Sequence, residues 1–71
     1  MVMLSDVAAR FDEWASANEA EAEEILAHLD SFPEEKRAYR QRLADWIMAE
    51  AVEFRARSHD LRYVEWCHSR D

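Results

Sequence analysis

The sequence predicts an all-α protein: an antiparallel helical hairpin over about residues 5–31 and 33–57, followed by a short C-terminal helix. Three observations carry that prediction. The 71 residues include no glycine and one proline, and Ala, Glu, Arg and Leu, all good helix formers, are abundant. Strand signals are missing, because no alternating run of β-branched residues is bounded by turn residues. Finally, one strong punctuation mark, Asp30-Ser31-Phe32-Pro33-Glu34-Glu35, divides the chain into two helical stretches of similar length.

In the first stretch, Ser5 and Asp6 are N-cap candidates, with Leu4 outside them as a hydrophobic staple. Ala8, Phe11, Ala15, Ala22, Ile25, Leu26 and Leu29 keep one phase at 100° per residue, which predicts one long helix or two nearly collinear ones over about residues 5–31. Ser16 with Glu19, or Asn18 with Glu21, offers a competing cap. If the helix continues through this point, Asn18 lies on the apolar face, where a polar residue fixes register.

Proline favours the first turn of a helix, and Ser31 followed by Glu34 has capping-box spacing, so a second helix is expected from about Pro33. A connection this short implies antiparallel packing. The stretch Leu43 to Phe54 is the centre of the design. Tyr39, Leu43, Trp46, Ile47 and Phe54 share one face and are the expected core contact. Ala44, Met48, Ala51 and Val52 form a second apolar surface. A small chain has few elements with which to cover both, so a second copy is expected to do so. That reading predicts a homodimeric helical bundle with Trp46, Met48 and Val52 at its interface. Glu50 interrupts the apolar face and calls for a partner or a wet edge.

Beyond Phe54 the pattern falters, and Ser58 or Asp60 is a candidate cap for the short final helix. Leu61, Val64 and Cys67 would line one side of it, with Tyr63 and Trp66 pointing elsewhere. Aromatic side chains at such a place either fold back or are offered to a partner.

Charge is unevenly placed. The net charge is −7, but residues 1–35 hold ten acids against one base and residues 36–71 eight bases against six acids. The acidic half disfavours general nucleic-acid binding. Glu19, Glu21, Glu23 and Glu24 have no base among them and read as either a solvated face or a docking surface for a basic partner. Lys36, Arg37, Arg40 and Arg42 crowd the start of the second helix, where they oppose its dipole. They read as ion-pair partners for acids of the preceding helix end, such as Asp30, or as a contact for phosphate or an acidic peptide.

Catalytic grammar is sparse. Without glycine there is no phosphate-cradling loop, and no nucleophile is tied by spacing to a base. His59, Cys67 and His68, with His28 or Asp71, match no zinc spacing. No metal or other cofactor is expected. Cys67 stands alone, so no internal disulfide forms, and no apolar run is long enough to span a membrane. The chain reads as one soluble, cytoplasmic domain over residues 1–71.

The function expected from these features is protein binding: a small acidic module that docks on another protein and regulates it, by inhibition in the simplest case. Glu19, Glu21, Glu23, Glu24, Tyr63 and Trp66 are its candidate contacts. Two alternatives come from other classes. One is a nucleic-acid-binding regulator using the arginine cluster at 36–42, and the other an enzyme pocket built around Glu50 in a dimer.

Overall fold

The computed structural model describes residues 3–70; Asp71, one of the candidate metal ligands, lies outside them. Helix α1 spans Leu4–Ala27 and helix α2 spans Glu34–Ser69, joined by a single 3-10 turn at Leu29–Ser31. The helices pack side by side into a rod of 58 × 15 × 15 Å. Its length is that of α2 alone, whose 36 residues extend about 54 Å at about 1.5 Å each.

The all-helical hairpin stands as predicted, and α1 runs unbroken through Asn18. Asn18 donates its side-chain amide to the Ile47 backbone oxygen at 3.4 Å, which ties the two helices at one level. The ends differ from expectation. Helix α1 begins after Met3 without a side-chain cap, so Ser5 and Asp6 lie inside its first turn. At the connection no capping box forms. The Ser31 hydroxyl points backwards and donates to the His28 carbonyl at 2.6 Å, while Pro33 occupies the cap of α2. The larger correction concerns the C-terminal helix. There is no break after Arg57; α2 continues to Ser69. Ser58 caps nothing, because it is buried in the seam between the helices, beside the Asp12 carboxylate.

Small residues build the core. Ala8, Ala15 and Ala22 on α1 and Ala44, Ala51 and Ser58 on α2 recur at every seventh position and are buried. This is the repeat of a coiled coil, with small side chains at one seam position letting the two backbones come close. The other seam position carries Leu4, Phe11, Asn18 and Ile25 against Ile47, Phe54 and Leu61. Phe11 stacks on Phe54 at 5.9 Å, and Ile25 and Leu43 pack around Ala22, Ala44 and Ile47. One repeat beyond Phe11 and Phe54, Leu4 is level with Leu61. Helix α2 therefore runs about two turns past the start of α1.

This seam corrects the expected core face. Ile47 is buried and Leu43 and Phe54 are half-buried, but Tyr39 and Trp46 are exposed. Ala44 and Ala51, assigned above to a second surface, lie in the core instead. No large side chain is fully buried anywhere in the described chain.

Candidate protein-docking surfaces

The turn is fastened by the basic cluster. Arg37 donates to the backbone oxygens of Phe32 at 3.0 Å and Asp30 at 3.4 Å, and the Arg40 guanidinium lies 4.3 Å from the Phe32 ring centre. Arg37 thus satisfies carbonyls that the turn leaves open while Arg40 covers the Phe32 ring, which explains bases at a helix start where the dipole disfavours them. The partner of Arg37 is the Asp30 backbone, not its carboxylate. Two members of the proposed nucleic-acid cluster, exposed Arg37 and half-buried Arg40, are tied to the turn, and Lys36 and Arg42 are exposed without such a contact among the described residues.

On one flank of the seam, charge links the helices. Arg62 donates to the Asp12 carboxylate at 2.9 Å, and Arg55 reaches Glu19, the Ser16 hydroxyl at 3.2 Å and, at 3.9 Å, Asp12. The Arg62 hydrogen bond, then the Ser58 hydroxyl and the charges of Arg62 and Arg55, hold the Asp12 carboxyl below the ordinary carboxylate range. Hydrogen bonding from Arg55, followed by its charge, does the same for Glu19, and Glu19 in turn raises the Arg55 guanidinium.

The opposite flank is open and aromatic. Trp14 packs edge-on against Phe11 at 5.4 Å and tilts over Phe54 at 5.8 Å, yet remains 49% exposed. Counted in sevens, Val7, Trp14 and Glu21 of α1 and Lys36, Leu43, Glu50, Arg57 and Val64 of α2 line this flank beside the seam. Met3, Arg10, Ala17 and Glu24, with Tyr39, Trp46, Glu53 and Asp60, lie one step further out. Trp46 is 61% exposed. Glu50 is half-buried at this edge, and no ion pair to it forms among the described residues.

The candidate residues named from sequence are thereby divided. Trp46 belongs to the aromatic flank, whereas Met48 and Val52, both exposed, lie round the helix toward the ion-paired flank. The three do not form one patch. The four glutamates are also split. Glu19 is tied to Arg55, Glu23 is exposed beyond it, and Glu21 and Glu24 are on the other side. There they line an open groove of about 300 Å³ with Ile25, His28, Phe32 and Arg40.

Tyr63 and Trp66 are neither folded back nor covered. They contact each other at 6.0 Å on the overhanging end of α2, and Arg70 lies 4.5 Å above the Trp66 ring. Trp14 is the functional candidate that sequence reading missed. Its signal was its place next to the seam, one residue before the Ala15 of the seven-residue alanine series.

No protein-family model, curated protein or solved structure matches the chain. Among the described residues, no helix is long and apolar enough to cross a membrane.

Proposed function

We propose that this hairpin is a protein-binding module that regulates its partner by occupying part of that partner's surface, inhibition being the simplest consequence. One observation carries the reading: all three tryptophans are exposed on a fold whose buried core is alanine with a single isoleucine. Tryptophan and tyrosine are the side chains most enriched where binding energy concentrates, and large apolar patches on small proteins mark docking sites. Tyr63 and Trp66 project from a helix end that α1 does not accompany, so a partner can approach them from several sides. Glu21 and Glu24, exposed side by side near the turn, add negative charge suited to a partner with a basic surface, and Glu23 adds to it on the opposite side of the rod.

A pull-down from nuclease-treated lysate, washed at low and high salt, tests this reading. The wild-type chain is expected to retain a defined protein through both washes, and a Tyr63→Ser/Trp66→Ser chain to lose it. Activity of the captured protein should then fall on adding the wild-type chain. Equal capture by both chains would remove the tail from the docking site, and no capture by either would overturn the module itself.

A further inference from the structure

Resting on the module reading but naming the chemistry of one partner, we infer that the Trp14/Trp46 flank binds an arginine-bearing segment of another protein. The charges of the flank, taken in order, lead there. The Asn18–Ile47 hydrogen bond and the Phe11–Phe54 stack set the level of each helix against the other. On that register the bases lie at the two ends: His28, Lys36 and Arg40 beside the turn, and Arg10 and Arg57, with Asp60, toward the open end. Between them every charged group is an acid. Glu24, Glu21, Glu50 and Glu53 follow one another, and Trp46 and Trp14 stand among them. None of the four glutamates has an ion-pair partner among the described residues.

The pattern extends round the rod. No Lys, Arg or His occurs from Phe11 to Ala27 or from Leu43 to Phe54, and the two stretches stand level from the Phe11–Phe54 stack to the Ala22–Ala44 contact. The middle of the molecule therefore has no base of its own. Arg55 and Arg62 reach into it only on the opposite flank, to Glu19 and Asp12. Glu50 then selects the occupant. It is half-buried, one turn from Trp46 on α2, and level with Trp14 across the seam. A carboxylate partly removed from water is stabilised by a paired cation, and the hairpin supplies none here. Exposed Ala17, at the same level on α1, leaves open space beside it. Arginine suits the place better than lysine, because its planar guanidinium donates two hydrogen bonds to a carboxylate and stacks on indole. Nucleic acid is repelled by the same four carboxylates. Two copies of this chain laid middle on middle would set acid on acid.

Fluorescence anisotropy of labelled octa-arginine and octa-lysine peptides with the full chain tests the inference, with helicity checked by circular dichroism. Octa-arginine is expected to bind wild type, and octa-lysine to bind about threefold or more weakly. Trp46→Ser, at a position outside the hairpin's own core, should weaken octa-arginine by about tenfold. Glu50→Gln should weaken it about fivefold, whereas Glu13→Gln, which removes the same charge from the outward face of α1, should change it less than about twofold. Absence of binding, equal binding of octa-lysine, equal losses for Glu50→Gln and Glu13→Gln, or a complex indifferent to Trp46→Ser would each overturn the inference. So would a wild-type dimer in sedimentation equilibrium that Trp46→Ser dissolves, since the face then belongs to a second copy. If octa-arginine fails to bind yet the chain still captures its partner through Tyr63 and Trp66, the module reading stands and this face alone falls. Loss of both overturns the two together.

Discussion

On one flank of the seam, Arg55 and Arg62 reach across to Asp12 and Glu19; on the other, Trp14 and Trp46 stand half-open and no ion pair crosses among the described residues. The two flanks border the same alanine seam and are equally close to it, so geometry alone does not separate them. Their chemistry does. Charged pairs at a wet edge contribute little each to stability, but they fix register and tolerate water, so that flank needs nothing further. An aromatic flank left in water forgoes most of what its area is worth, about 25 cal/mol per Å² of apolar surface once covered. One side of the molecule is finished and the other is not.

The heaviest blow to this comparison would fall on the seam that both flanks share. Ala51→Leu forces a branched side chain between helices held close by small residues and should destabilise the fold by about 1–3 kcal/mol. Urea unfolding followed by circular dichroism reads it, and a loss well under 1 kcal/mol would mean that the helices are not close-packed at that level. Next comes the aromatic flank itself. Trp14→Ala removes a half-exposed ring from Phe11 and Phe54 and should cost about 1–2 kcal/mol, with little dependence on salt.

The smallest effect belongs to the ion-paired flank, and pH separates it from the other. Folding lowers the carboxyls of Asp12 and Glu19, so their contribution is complete above their unfolded values, about pH 4. It is lost as pH falls through the lower, folded values. The thermal midpoint of wild type should therefore drop in acid, and Arg55→Gln should shallow that drop. Near neutral pH, Arg55→Gln should lower the midpoint at low salt and have almost no effect at about 1 M salt, where screening acts within about 3 Å. A salt-independent loss would assign Arg55 a packing role instead.

Much of the architecture was legible in the sequence. The turn around Pro33 and the two antiparallel helices follow from helix formers, phase and punctuation, whereas phase and the competing caps at Ser16 and Asn18 left the continuity of α1 open until the structure showed it unbroken. The inward face was not read correctly, and the reason is physical. Hydrophobic scale favours Tyr39 and Trp46 as core residues, but close approach of two helices selects for small size, and Ala44 and Ala51 took those places. The clue was periodic, not hydropathic: Ala8, Ala15 and Ala22 answered by Ala44, Ala51 and Ser58. The same misreading cut α2 short. Ser58 looks like a cap when taken alone, and only its seam position explains a buried hydroxyl in mid-helix. The tail was legible as an aromatic pair, while its exposure depended on how far α2 outruns α1.

The fastening of the turn by Arg37 and Arg40 gives assembly a direction. Seam contacts beside the turn, such as Ile25 with Leu43, join residues close in the chain, whereas Leu4 and Leu61 are separated by most of it. Closing the short span costs less entropy, so the helices zip from the turn outward. Opening runs in reverse, and fraying starts where α2 has no neighbour. Amide hydrogen exchange should accordingly be slowest through Leu43 to Ala51 and quicken toward Ser69. A partner arriving at Tyr63 and Trp66 would then meet the last part of the molecule to become rigid, and its binding would be felt as a slowing of exchange at that end first.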